Sequence, residues 1–407
     1  MPEMLNIDAM LVALVGAAIV AASLVTSLCT RLGLPPLVGH LVLGVAARPV
    51  LDALGLFTEP VQQAFRLLAD LGIVALLFAV GLKSNPRALA ERLADAAPIW
   101  IGNVLASAAL AFAAAVWWLD LSLVAGLLCA TALTATSVGV SVALWEEAGR
   151  LDTPDGALLV DVAELDDISA MAFMAISFAL LPALLLGNGI SLEAVGAELV
   201  SFGLRLAAFL ALCVLFAQLL ERRVTQLTTR LARPPERMLV VAGFGFLIAA
   251  VAGLMGFSLA IGALFAGLAF SRDPEAVRTE SSYQDLHAFI TPFFFMGIGL
   301  AVVPATLVTA LPLAAALLLV AVLGKLAGTI VPALLVTSRF GALLLGLSML
   351  PRAEIALVVF DQGRQRAPEL VGPELYSAGV LIVLATCLLA PLVLAPLLAR
   401  HEGSSRA

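Results

Sequence analysis

The sequence predicts an all-α polytopic membrane protein of about thirteen transmembrane helices, arranged as two inverted six-helix repeats with two broken, crossing helices. Composition is the first of three observations behind this. Of 407 residues, 62% are hydrophobic and 13% charged, with a mean hydropathy of +1.09, against an apolar share of about 45–50% in soluble domains. The second is run length: the apolar runs are about 20 residues each, what a helix rising ~1.5 Å per residue needs to cross a roughly 30 Å hydrocarbon core. The third is a weak internal repeat. Gly39–Gly44 in GHLVLGVAARP resembles Gly262–Gly267 in GALFAGLAFSR, and FAVGLKSNP ending at Pro86 resembles MGIGLAVVP ending at Pro304. The offsets, 223 and 218 residues, fit two halves of six helices separated by one helix, an arrangement common in secondary transporters.

The first run, Asp8 to about Leu28, follows Glu3 and Asp8 with no Lys or Arg, so it lacks the basic start of a signal peptide and reads as a retained helix. Spans then fall near 35–48, 61–82, 94–118, 122–145, 154–186 and 192–221, and again near 235–254, 256–271, 283–303, 308–337, 340–362 and 375–399. Thirteen spans put the termini on opposite sides. With the N-terminus outside, the cytoplasmic loops take fifteen of the 22 Lys and Arg, among them Arg222, Arg223, Arg230, Arg233 and Arg237. The outside holds only Arg48, Arg66, Arg364 and Arg366, a bias that supports thirteen spans and a cytoplasmic C-terminus.

Several function classes lose support. The four cysteines stand singly in four apolar runs and the three histidines are scattered, so neither a disulfide framework nor a zinc or haem site has the spacing it needs. No P-loop pattern occurs, which argues against an ATP-driven pump, and nothing implies an enzyme, an organic cofactor or a nucleic-acid partner.

Chemistry concentrates in VDVAELDDISAM, residues 160–171. Charge inside a membrane helix is costly and marks function unless it is paired. Asp167 lies 13 residues beyond Pro154, about 19 Å along the axis and near the midplane. Asp166 shares that depth. Adjacent carboxylates repel, and they attract either a cation or a proton, so one site can exchange the two. Asp161 and Glu164 precede the pair on the cytoplasmic side, as either a cation-attracting funnel or structural charge. Lys325, in VLGKLAGTIVP, stands more than ten positions from either end of its span and needs an acidic partner, for which Asp166 is the expectation.

Two spans carry helix-breaking or polar sequence at matching depth: Thr131–Ser137 in TALTATS, including Thr134 and Thr136, and Leu350–Glu354 in LPRAE. Interrupted helices in corresponding places point to a binding site where free carbonyls and half-helix dipoles meet an ion. Arg352 and Glu354 are expected to neutralise those ends and to pair with charges nearby.

The combination of TATSVGVS, AELDDISAM, LGKLAG and LPRAEIAL, in this order, resembles the bacterial sodium/proton antiporters of the NapA type within the cation:proton antiporter superfamily. The resemblance extends to PPLVGHLVLG and TPFFFMGIGL and covers nearly the whole chain. It implies a homodimer in the bacterial cytoplasmic membrane, with dimerisation segments at residues 1–90 and 231–305 and an ion-binding core at 91–190 and 306–400. A connector would occupy 191–230 and a cytoplasmic tail 401–407. It further implies elevator-type, electrogenic Na+ or Li+ exchange for H+, with Na+ or a proton on Asp167 and Asp166, and Lys325 as the partner of Asp166. Glu164 departs from the family pattern. A potassium/proton antiporter and a sodium-coupled solute symporter are the alternatives. An intramembrane aspartyl protease fits poorly, because Asp166 and Asp167 are consecutive on one helix, about 100° apart, and no GxGD stretch occurs.

Overall fold

The computed structural model describes residues 2–83, 86–185, 192–220, 223, 236–271 and 281–400. The tail 401–407 and the basic positions Arg222, Arg230, Arg233, Arg272, Arg278 and Arg406 lie outside the described residues. Among the described residues, every regular element is a helix.

The first half of the chain comprises α1 (Pro2–Arg31), α2 (Pro36–Ala53), α3 (Glu59–Lys83), α4 (Pro86–Ala113), α5 (Leu123–Thr134), α6 (Val138–Glu147) and α7 (Pro154–Leu185). Then follow α8 (Leu192–Leu215), α9 (Glu236–Leu254), α10 (Leu259–Phe270), α11 (Ser281–Ala301), α12 (Leu311–Ala333), α13 (Arg339–Ser348), α14 (Glu354–Arg366) and α15 (Pro373–Arg400). Helices occupy each stretch marked in the sequence, and among the described residues eight are long and apolar enough to cross a membrane, against the thirteen spans expected. α9, α10, α11 and α13 are shorter apolar helices, and α7 carries five carboxylates within its 32 residues, Asp155, Asp161, Glu164, Asp166 and Asp167.

The two interruptions differ slightly from their sequence limits. α5 continues through Thr134, so the first break is Ala135–Ser137, and the second is Met349–Ala353 with Glu354 already helical. Ala135 is extended, at φ −60° and ψ 146°, which leaves the last carbonyls of α5 without helical donors.

Two compact units emerge: Met1–Asn85 with Val200–Pro304, and Pro86–Leu199 with Ala305–Ala407. In the first, glycines bring backbones together, as small residues do between membrane helices. A Cβ on Gly44 would lie 2.9 Å from Gly299 Cα, and one on Gly81 would lie 2.9 Å from Gly267 Cα. These crossings are related. The offsets of 223 and 218 residues carry Gly44 onto Gly267 and Gly81 onto Gly299, so the α2–α11 crossing maps onto the α10–α3 crossing. That exchange is what an internal two-fold produces. His40 is buried in α2, its Nε2 2.9 Å from Thr26 Oγ1 and 3.3 Å from the Ala22 carbonyl of α1.

The second unit is built on α4 and α12. A Cβ on Gly328 would sit 2.6 Å from Gly102 O and 2.9 Å from Asn103 Cα, and one on Gly324 would sit 3.0 Å from Ser107 Cα. Trp145, Val162, Leu345, Met349 and Leu394 form an apolar core at one end of this unit. Trp145 Nε1 donates to Ser348 Oγ at 2.8 Å, and Ser141 Oγ donates to Ser348 O at the end of α13. The two breaks are joined directly, Ser137 N–H donating to Pro351 O at 2.7 Å.

Candidate functional site

The site belongs wholly to the second unit. Consecutive residues on a helix point about 100° apart, so Asp166 and Asp167 of α7 meet different neighbours. Both are buried, and Asp166 is fully so.

Asp166 accepts three hydrogen bonds from three elements. Asn103 Nδ2 of α4 donates to Oδ1 at 2.8 Å. Oδ2 accepts from Thr136 Oγ1 in the first break at 2.5 Å and from Lys325 Nζ of α12 at 2.6 Å. The Lys325 ammonium also donates to Thr136 Oγ1 at 2.7 Å and to Thr134 O at 2.5 Å. Its three protons are thereby matched to three oxygens, the condition under which an ammonium can stay buried.

Lys325 and Arg352 both sit at the C-terminal end of α5, where unpaired carbonyls give the helix its negative pole. The guanidinium of Arg352 is fully buried. Nε and Nη2 donate to Leu133 O at 3.2 and 2.8 Å, Nη2 to Ala321 O at 3.1 Å, and Nη1 to Leu350 O at 3.0 Å. Among the described residues the Arg352 side chain hydrogen-bonds carbonyls alone, while the Asp166 carboxylate acts on its charge through space. Glu354 opens α14, where a carboxylate meets the positive pole of that half-helix. Ser137 Oγ lies 3.5 Å from Glu354 Oε2, at the outer limit of a hydrogen bond. The Thr134 hydroxyl folds back onto Thr131 O at 2.7 Å, so Thr134 serves the site through its carbonyl.

Asp167 is the exception in this network. Its Oδ1 is buried and, among the described residues, has no hydrogen-bond partner. The carboxylates of Glu354, Asp166 and Glu164 and the Lys325 ammonium all bear on it electrostatically. A buried carboxylate oxygen without a donor costs roughly 1–3 kcal/mol or more until something satisfies it, and a proton or a small cation would do so. Towards the start of α7, Asp161 is buried and Glu164 half-buried. Among the described residues no group of three or more His, Cys, Asp or Glu is arranged to hold a metal ion. A monovalent ion at Asp167 would therefore draw on carbonyl and hydroxyl oxygens as well.

Sequence reading missed Asn103, a lone amide in an apolar span. A signal for it exists: IGNVLAS (101–107) and LGKLAGT (323–329) align at an offset of 222, close to that of the repeat, and place Asn103 on Lys325 and Ser107 on Thr329.

A relative from Synechocystis, named a high-affinity Na+/H+ antiporter NhaS3, is 26% identical over 91% of this chain and 86% of its own length. An Enterococcus hirae Na+/H+ antiporter is 26% identical over 92% of this chain and 95% of its own. The glutathione-regulated potassium-efflux protein KefC of Klebsiella pneumoniae is 28% identical over 95% of this chain but only 60% of its own length. The solved structure of the sodium proton antiporter MjNhaP1 from Methanocaldococcus jannaschii superimposes with a TM-score of 0.70, at 16% identity, over 97% of this chain and 98% of that one, which establishes a shared fold. The sequence model described as "Sodium/hydrogen exchanger, transmembrane" matches residues 18–400, so the chain is a multi-pass membrane protein of the sodium/hydrogen exchanger family.

Proposed function

We propose that this chain is an electrogenic, secondary-active antiporter that exports Na+ or Li+ as protons enter, by elevator-type alternating access to one site at Asp167 and Asp166. The observation that carries the reading is the buried Oδ1 of Asp167, without a hydrogen-bond partner among the described residues, next to an Asp166 already neutralised by Lys325. Asp167 takes Na+ or a proton in turn. Na+ arriving at Asp167 competes with the Lys325 ammonium for Asp166, and breaking that pair couples a second charge to the cycle. Thr134 O, Thr136 Oγ1 and Ser137 Oγ offer oxygen ligands of the hard type such an ion prefers. Asp161 and Glu164 form the approach from the cytoplasm. The first unit would hold a second copy of the chain, as a homodimer in the bacterial inner membrane with the N-terminus outside.

The test is proton flux in proteoliposomes under an imposed pH gradient. Na+ should drive it in the wild type, and Asp167→Asn should reduce it to background; undiminished exchange in that variant would sink the assignment. Potassium is the second reading, favoured by the likeness to KefC. Comparing Na+, Li+ and K+ in the same vesicles decides it, since saturable proton flux with K+ alone would replace the sodium reading.

A further inference from the structure

The contact between α4 and α12 repeats itself under the internal two-fold. The offset of 222 residues carries Gly102 onto Gly324 and Ala106 onto Gly328. The close approach of Gly102 to Gly328 therefore maps onto that of Gly324 to the Ala106–Ser107 backbone, and both are present. Asn103 and Lys325 are counterparts across this crossing, both fully buried, and both donate to the same carboxylate. Asp166 is thus gripped from both repeats, by a neutral donor on Oδ1 at 2.8 Å and a charged one on Oδ2 at 2.6 Å.

The two grips differ in what an arriving cation does to them. A cation can displace the Lys325 ammonium, since like charges compete for the Oδ2 side. It has no electrostatic quarrel with the neutral Asn103 amide. We infer that Asn103 is a positioning residue for ion binding, holding the Asp166 carboxylate in place through Oδ1 while Lys325 is displaced from Oδ2. The amide orientation is set by this duty. Because Nδ2 must face the carboxylate, Asn103 Oδ1 is turned away and remains without a partner among the described residues. A buried amide that only filled space would be replaced by an apolar residue at no such cost. The inference rests on cation exchange at Asp167 and Asp166, as proposed above.

The test uses the full chain in liposomes, with proton flux measured across a range of Na+ concentrations. Asn103→Leu keeps the branched shape and deletes the donor, and Asn103→Ala deletes it without adding bulk. The half-saturating Na+ concentration should rise about tenfold or more, the share of a charge-assisted hydrogen bond, while the maximal rate stays within about threefold, as for a residue acting on ground-state binding. Asn103→Ala should move it in the same direction. A half-saturating Na+ that is unchanged or lower, or a fall in maximal rate alone, would overturn the inference and leave Asn103 a packing residue. Where Asn103→Leu reconstitutes poorly, protection of the detergent-purified protein against heat by sodium chloride over choline chloride reads the same affinity. The two ideas fail differently: a wild type with no Na+-driven flux overturns both, whereas an exchanging wild type with an unaltered Asn103→Leu overturns this one alone.

Discussion

At the scale of residues, Asp166 and Asp167 are separated by one peptide bond and by their company. Asp166 receives donors from α4, the first break and α12, while Asp167 Oδ1 finds none among the described residues. The difference follows from the ~100° turn between consecutive helical positions. The Lys325–Asp166 pair has both side chains fully buried, so removing one partner strands the other charge. Lys325→Met or Asp166→Leu should each cost about 3–5 kcal/mol, whereas the double variant should recover much of that loss. Thermal unfolding of the purified protein measures it. A double variant less stable than both single ones would mean the two charges do not compensate each other.

At the scale of elements, the breaks matter more than the helices they interrupt. Ending α5 at Thr134 frees Leu133 O and Thr134 O, and these carbonyls, with the pole of the half-helix, place Arg352 and Lys325. Arg352→Lys retains the charge but cannot present the planar fork that reaches Leu133 O, Ala321 O and Leu350 O together. It should lower the unfolding midpoint measurably, and Arg352→Leu should lower it further by leaving three carbonyls short of donors. Equal midpoints for the three proteins would contradict this account of the break. The glycine crossings make a separate prediction. Gly81→Val meets the backbone of Gly267, whereas Gly16→Val on α1 meets nothing within 4 Å. The first should reduce the yield of monodisperse protein sharply, the second hardly at all, as size-exclusion chromatography would show.

At the scale of the whole molecule, one chain segment from each half goes into each unit, and the candidate site lies entirely in one of them. If that site binds Na+ in exchange for more than one proton, net charge crosses the membrane. Each elementary charge moved is worth roughly 2.3 kcal/mol per 100 mV. Exchange in potential-clamped proteoliposomes should therefore accelerate when the potential favours proton entry. A rate indifferent to the clamp would establish electroneutral exchange and remove the reason for a second carboxylate.

Much of this was legible in the sequence because hydrocarbon imposes a severe rule: about 20 apolar residues per span and no unexplained charge. Apolar runs, buried carboxylates and the lone deep lysine stand out against such a background without any coordinates. Two things did not. Helix ends at the first break were misplaced by a few residues, because Thr and Ser are compatible with either helix or extended chain until their hydroxyls find partners. Asn103 was passed over because an uncharged amide in an apolar run does not itself show what it faces, and its one signal, the alignment of IGNVLAS with LGKLAGT, speaks only once Lys325 is known to meet Asp166. Composition and charge by themselves determined the membrane class, the helical fold and the acidic stretch at which to look. Only the tertiary structure decided which oxygen of which aspartate is satisfied, since that depends on donors brought from α4, the first break and α12, 30 to 159 residues away in the chain.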